Sequence, residues 1–154
     1  MGLDQALWAH KCIHPIEFDA MSQKHLPNPK YHTLVEMTDS QEDVVDGYGW
    51  FDVAIPVAEW RKVNSIHAWF VKHIQNDKDD CGYYTVSPPE LQLLCTTIEE
   101  AIEQKSSDRL PPTSGFFFGS TEVNEDYWED LQLTLDTLQP LVDKYERFTY
   151  NSSW

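Results

Sequence analysis

The stretch WRKVNSIHAWFV, residues 60–71, decides the fold that the sequence predicts. At about 100° per residue it collects its apolar side chains in one broad sector, as in a helix with one buried face. Asn64 and His67 lie in or beside that sector. A buried polar group without a hydrogen-bond partner costs roughly 1–3 kcal/mol. We therefore expect these two side chains to meet either internal partners or a bound ligand.

Three helices are predicted in all. The first runs from about residue 57 to residue 75, with Pro56 in its first turn. The second begins after Ser87, where two prolines and Glu90 complete a capping box. Apolar residues at helical spacing then follow, namely Leu91, Leu94, Cys95, Ile98, Ala101 and Ile102. The third helix starts after residues 120–124, which offer caps, and Pro140 ends or kinks it.

Short runs of β-forming residues predict a sheet beside these helices. Strands are predicted at residues 31–37, 48–55, 83–86 and 115–119, whereas residues 2–14 fit either a helix or a strand. Residues 15–30 and 38–47 are rich in turn formers and are predicted as irregular connections. The predicted fold class is α+β, with about three helices packed on a small antiparallel sheet, in a single domain over residues 1–154.

Negative charge is the strongest global signal, because the formal net charge is −15 and its distribution is uneven. Residues 36–59 contain seven acids and residues 122–136 contain six, and neither stretch has a Lys or Arg. Such a surface repels nucleic acid and attracts basic partners, so we expect no direct nucleic-acid binding. The predicted partner-binding residues are Glu122, Glu125, Asp126, Glu129 and Asp130. The alternatives are a solvated face with no partner, or a face that mimics nucleic acid.

Metal, cofactor and membrane motifs are missing from the sequence. Three cysteines, Cys12, Cys81 and Cys95, have no pairwise metal spacing, and residues 77–82 depart from the EF-hand pattern. No apolar run is long enough to cross a membrane, and the first residues lack the basic start and apolar stretch of a secretory signal. We therefore expect no metal, no cofactor, no membrane association and an intracellular protein.

A ligand pocket around His67 is the main candidate site. Arg61 would meet an anionic group, His67 and Asp80 would handle protons, and Trp60 would stack on the ligand. Asn64 and Ser120 complete the predicted set, although Ser120 fits equally well as a helix cap. A histidine on an apolar helix face is also typical of a hydrogen-bonded core residue. No complete catalytic constellation is visible, so we assign no catalytic residue.

Four motifs resemble a widespread family of small phage-encoded proteins. They are MGLD at residues 1–4, WRKxNxIHxWFV at 60–71, DDC at 79–81 and SGFFFGSTE at 114–122, and their order and spacing agree over nearly the whole chain. The chain departs from that family at Gln5 and Ala6, where Met-Tyr is more usual. The resemblance implies a phage gene product that works in the cytoplasm of a bacterial host, and it assigns no catalytic residues.

The expected function is therefore that of a phage accessory protein that binds and modulates a host protein, as a host-takeover or anti-defence inhibitor. The host partner could itself bind nucleic acid. One alternative is a protein that binds a small ligand or nucleotide, including a hydrolase, through the pocket around His67. The other alternative is a nucleic-acid mimic.

Overall fold

The computed structural model describes residues 2–44 and 48–154. The chain divides into two compact units. The main unit comprises residues 2–10 and 55–154, and the small unit comprises the described residues from 11 to 54. The expectation of one domain over the whole chain stays a prediction.

Six strands form two sheets. The strands are β1 (Asp4–Ile13), β2 (Ile16–Asp19), β3 (Lys24–Pro27), β4 (Phe51–Arg61), β5 (Tyr83–Val86) and β6 (Arg147–Ser153). The larger sheet is antiparallel and has the order β4-β1-β6-β5, while β2 and β3 form a hairpin in the small unit. In the larger sheet Leu7 pairs with Tyr150, and Tyr150 pairs in turn with Tyr84.

Four α-helices complete the α+β fold. They are α1 (Pro29–Met37), α2 (Asn64–His73), α3 (Pro88–Gln104) and α4 (Glu125–Leu138), and a short 3-10 helix (Gln139–Leu141) follows α4. The class of α+β with an antiparallel sheet is thus confirmed, with one helix more than expected. Helices α2, α3 and α4 and the larger sheet enclose the core of the main unit, in which Phe70, Leu94, Leu131 and Phe148 are fully buried.

The prediction of a helix from residue 57 was wrong, because residues 51–61 form β4 and α2 begins only at Asn64. Ala58 and Trp60 are buried while Glu59 and Arg61 are exposed, so the pattern there has the period of two that a strand requires. Pro56 does not open a helix. It lies in a strand at the edge of the sheet, the place in a sheet where proline is found.

The prediction of a strand at residues 31–37 was also wrong. Asn28 accepts a hydrogen bond from the Lys30 N–H at 3.0 Å, and Pro29 occupies the first turn of α1. This cap starts a helix in spite of the β-forming residues that follow. The preceding segment contains the β2-β3 hairpin rather than irregular chain. The loop predicted at residues 38–47 lies partly outside the described residues, because residues 45–47 are not described.

Residues 115–119 form a turn and not the predicted aromatic strand. The Phe118 N–H donates to the Gly115 carbonyl at 3.2 Å, and a side chain at Gly115 would collide with the Phe118 ring. Phe116 is 93% exposed, so the three phenylalanines do not fill two faces of a strand. Their spacing instead suits a turn that presents Phe118 alone to the interior.

Strand β6 is a further element that the sequence did not predict. It lies between β1 and β5 and carries Phe148, Tyr150 and Ser152 on its buried face. Apolar and polar residues alternate at the start of the sequence RFTYNSS, as they do in a strand. The asparagine and serines that follow are all polar, so the pattern is weak. Helix α3 was predicted correctly: the Glu90 carboxylate accepts from the Ser87 N–H at 2.7 Å and from the Ser87 hydroxyl at 2.7 Å.

Two neighbouring leucines of α3 provide a matched test of the core. We expect Leu94→Ala to lower the free energy of unfolding by about 2–5 kcal/mol, because Leu94 is fully buried and its removal leaves a cavity. We expect Leu93→Ala, at a position that is 49% exposed, to cost less than about 1 kcal/mol. Urea denaturation measures both values, and equal losses for the two variants would contradict this description of α3.

Candidate functional site

A row of four polar side chains, three of them buried and Asp79 partly exposed, crosses the main unit, with His67 near its centre. The imidazole Nε2 lies 3.0 Å from Asp79 Oδ2, and Nδ1 lies 2.8 Å from the Tyr150 hydroxyl. That hydroxyl donates to Gln5 Oε1 at 3.1 Å, and Gln5 Nε2 donates to the Val63 carbonyl at 3.2 Å. The row therefore links β6 and β1 to α2 and to the loop that follows α2.

The Val63 carbonyl sets the direction of the hydrogen bonds from Gln5 to His67. Because the Val63 carbonyl accepts from the Gln5 amide nitrogen, Gln5 presents its oxygen to Tyr150. The single hydroxyl hydrogen of Tyr150 goes to that oxygen, so the Tyr150 oxygen accepts from His67 Nδ1. The other ring nitrogen, Nε2, faces the Asp79 carboxyl group.

A carboxylate, an imidazole and a hydroxyl in line suggest proton-transfer chemistry, but the imidazole and the hydroxyl are buried. The Asp79 side chain is 28% exposed and also accepts from Trp154 Nε1 at 3.0 Å. His67 is 1% exposed and Tyr150 is fully buried. The Phe118 ring contacts His67 edge-on with ring centroids 5.2 Å apart, and Phe70 stacks on Tyr150 at 3.9 Å. Burial raises the pKa of Tyr150 well above its usual value, and the nearby Asp79 charge acts in the same direction. Tyr150 is thus a neutral hydrogen-bonding group of the core.

The side-chain amide of Asn64 forms a second set of internal hydrogen bonds. Its Nδ2 donates to the carbonyl groups of Phe118, at 3.0 Å, and Ser120, at 2.8 Å. Its Oδ1 accepts from the Thr113 N–H at 2.9 Å. The first residue of α2 therefore holds the loop of residues 113–120 at both of its ends, which satisfies the polar group that the sequence placed beside the core.

The other predicted ligand-binding residues lie in different places. Trp60 is in the core and donates through Nε1 to the Thr134 hydroxyl at 2.9 Å. Asp80 accepts from the Gly82 N–H at 3.0 Å and from the Tyr84 hydroxyl at 2.9 Å. The carboxylate beside His67 belongs to Asp79 instead. The structure thus brings Arg61, Asn64 and Ser120 together at one cavity, which Trp60, His67 and Asp80 do not line.

Those three residues share a cavity of about 190 Å³ with acids of α4 and of the segment before it. The complete lining is Arg61, Lys62, Val63, Asn64, Ser65, Pro112, Ser120, Glu122, Asn124, Asp126, Tyr127 and Asp130. We call this space the α2–α4 cavity. It contains three of the five acids predicted to bind a partner, whereas Glu125 and Glu129 lie on the exposed side of α4. Ser65, which also borders a second cavity between α2 and α3, was missed because a single serine carries no sequence signal.

No Lys or Arg in the described ranges, 2–44 and 48–154, forms an ion pair with the acids of residues 122–136. Partial burial raises the pKa of Asp130, and the like charges of Asp126 and Glu129 raise it further. The negative charge of Asp130 is therefore disfavoured by its surroundings.

No set of three or more His, Cys, Asp or Glu side chains among the described residues could hold a metal ion. The three cysteines are free thiols. None of the helices in the described ranges is long and apolar enough to cross a membrane.

No protein-family model, curated protein or solved structure matches this chain.

The buried row can be tested by removing one oxygen atom. We expect Tyr150→Phe to lower the free energy of unfolding by about 1–3 kcal/mol, because Gln5 Oε1 and His67 Nδ1 lose their shared partner inside the core. Tyr84→Phe is the matched control, since its hydroxyl contacts the exposed carboxylate of Asp80 and water can replace it. Denaturant unfolding compares the variants, and a neutral Tyr150→Phe would contradict the hydrogen-bond row.

The raised pKa of Asp130 predicts the sign of a pH effect. The folded protein disfavours the Asp130 carboxylate, so we expect Asp130→Asn to raise stability at neutral pH by about 0.2–0.5 kcal/mol, the usual size of a like-charge pair on a helix. The gain should shrink as the pH falls through the raised pKa toward 3.8, because the wild-type carboxyl group then becomes protonated. Thermal unfolding across pH measures it. Asp136→Asn, with no acid three or four residues away, is the control.

Proposed function

We propose that this chain is a binding protein and not an enzyme, and that it engages a basic protein through an acidic face formed by α4 and the segment before it. We define the acidic face as Glu122, Glu125, Asp126, Glu129, Asp130 and Asp136. The observation that carries the proposal is that these six carboxylates form no ion pair with any described Lys or Arg.

Uncompensated charge on one helix favours association with a surface of opposite charge. Like charges spaced three or four residues apart on a helix repel each other. Partial burial is the main cause of the raised pKa of Asp130, and the charge of Asp126, four residues before it, adds to the effect. Lysine and arginine side chains of a partner would relieve this repulsion, and the negative field would speed their approach. Relief of this electrostatic repulsion would therefore contribute to the binding free energy.

An exposed leucine gives the acidic face an apolar centre. Leu133 is 66% exposed and lies one helical turn from Glu129, Asp130 and Asp136. An apolar contact surrounded by charged groups is the usual arrangement of a protein–protein interface, in which the centre is desolvated and the rim stays polar. The face thus suits a basic protein surface with an apolar residue among its cations.

The buried polar residues support binding rather than turnover. His67, which the sequence offered as a proton-transfer residue, uses both ring nitrogens inside the core. The phage resemblance supplies the setting of the proposal: a phage accessory protein that modulates a basic host protein in the host cytoplasm, as a takeover or anti-defence inhibitor. If that protein binds nucleic acid, the acidic face would compete for the same groove.

Two variants with equal charge test the proposal. One carries Glu125→Gln, Glu129→Gln and Asp136→Asn on the acidic face. The other carries Glu36→Gln, Glu42→Gln and Asp43→Asn in the other acidic stretch, at positions that are also exposed. Each removes three negative charges, so any difference between them reports location and not net charge. Thermal unfolding first establishes that both are folded.

Immobilised wild-type and variant proteins are then exposed to bacterial lysate at several salt concentrations. We expect a basic protein to be retained by the wild type and by the second variant, lost by the acidic-face variant, and released as salt is raised. Retention by all three proteins, or by none of them, would contradict the proposal. If the captured protein is displaced by added duplex DNA, the interaction is nucleic-acid mimicry.

A further inference from the structure

The β2-β3 hairpin of the small unit carries an apolar face that is exposed to solvent. Ile16 is 52% exposed and Phe18 is 54% exposed, and both point to the same face because side chains alternate along a strand. The Phe18 ring contacts the ring of His25, its partner on β3, with centroids 5.4 Å apart. Exposed apolar side chains that lie side by side are typical of an interaction site.

One backbone hydrogen bond fixes which peptide groups of the hairpin face outward. The Asn28 N–H donates to the Pro15 carbonyl at 2.8 Å. These two residues lie opposite each other in the register of the hairpin, so they form a hydrogen-bonded pair. Hydrogen-bonded and non-hydrogen-bonded pairs alternate along an antiparallel ladder. The N–H and C=O groups of Ile16 and Phe18 therefore point away from β3.

The two free edges of the hairpin differ. On β2, the outward N–H and C=O groups of Ile16 and Phe18 are available, and β3 is the only strand that pairs with β2 among the described residues. On β3, the outward positions are His25 and Pro27, and Pro27 has no N–H to donate. Proline is one of the residues with which proteins block an exposed edge. The β3 edge is thus partly blocked, whereas the β2 edge is open to a further strand.

Charge on the other face of the hairpin determines which strand would fit this edge. Glu17 points to that face and forms no ion pair with any described residue. If a second copy of this chain paired antiparallel through the same edge, with Ile16 opposite Phe18, the two Glu17 side chains would face each other. Like charges directly opposite each other destabilise a strand pair, whereas a Lys or Arg opposite Glu17 would stabilise it.

We propose that β2 is a docking edge for an extended segment of a partner protein in which apolar and basic residues alternate. The segment pairs antiparallel with β2, its apolar side chains lie beside Ile16 and Phe18, and a Lys or Arg lies opposite Glu17. Main-chain hydrogen bonds supply affinity in this mode of recognition, and alternate side chains supply specificity. The added strand also stabilises the hairpin, because two strands alone are marginally stable in water. The acidic face takes no part in this contact.

The six-residue peptide KVKVKV, with both ends blocked, is the probe for this edge. In the antiparallel pair its valines lie beside Ile16 and Phe18 and direct their N–H groups to β2, while the lysine N–H groups point away. Methylation of the valine amide nitrogens therefore removes the pairing, and methylation of the lysine amide nitrogens leaves it intact. We expect the valine-methylated peptide to bind at least about tenfold more weakly than the lysine-methylated one.

Hydrogen exchange of the isotope-labelled protein locates the bound peptide. We expect the N–H groups of Ile16 and Phe18 to be protected by KVKVKV at millimolar concentration, because they gain acceptors. The N–H group of His25, on the other edge, is the internal control and should exchange as in the free protein. The acidic-face variant should show the same protection, and its loss there would overturn the proposal by placing the peptide on α4.

A charge exchange tests the specificity of the edge. We expect Glu17→Lys to weaken binding of KVKVKV by about threefold to fivefold and to strengthen binding of EVEVEV by a similar factor. Glu36→Lys changes the net charge by the same amount at an exposed position of α1. This control should bind both peptides like the wild type, and equal effects of the two substitutions would contradict a contact at Glu17.

Three further results would overturn the proposal. The first is the absence of protection at Ile16 and Phe18. The second is equal binding of the two methylated peptides. The third is a wild-type dimer in sedimentation that Phe18→Pro, which removes one outward N–H, converts to a monomer, because β2 would then pair with a second copy. None of these results bears on capture of a basic protein by the acidic face, so the two proposals fail separately.

Discussion

The hydrogen-bond row from Asp79 through His67 and Tyr150 to Gln5 is the constraint on which the main unit depends. A buried imidazole must satisfy both ring nitrogens, and here the partners come from the loop after α2 and from β6. Gln5 and the Val63 carbonyl set the direction of the donors, so β1 and the start of α2 are tied to the same row. Moving any one of these elements would leave a buried polar group unpaired, at a cost comparable to a large core defect.

The polar residues of helix α2 have two roles: Asn64 and His67 hold other elements in place, and Ser65 lines a cavity. Asn64 and His67 face inward and hold the loop of residues 113–120 and the β6 strand. Ser65, between them in the sequence, is as buried as they are and lines the α2–α4 cavity. Because the helix turns by about 100° per residue, adjacent polar residues take separate roles on one helical turn. The α2–α4 cavity exists because the Asn64 contacts hold the loop residues that line it, Ser120 among them.

The sequence predicted which residues of the candidate site need hydrogen-bond partners, but it did not identify those partners. The sequence indicated that Asn64 and His67 would require hydrogen bonds, since both lie beside apolar residues at helical spacing. It could not identify Asp79 rather than Asp80 beside His67, because that choice depends on the turn after α2. Tyr150 lies 83 residues from His67 in the chain, and no local pattern reports so distant a contact. Charge on α4 was visible in the sequence, whereas its position beside Arg61 and Ser65 was not.

The sequence by itself determined the α+β class, helix α3 with its capping box, and the acidic character of α4, because each follows from local spacing, capping chemistry or composition. Tertiary structure alone decided that residues 57–61 extend a strand, that β6 lies inside the sheet, and that His67 and Tyr150 are closed to solvent. The apolar residues around Trp60 satisfy a helical and a strand period over a short window. Pairing with another strand, which is a contact between distant residues, selects between the two.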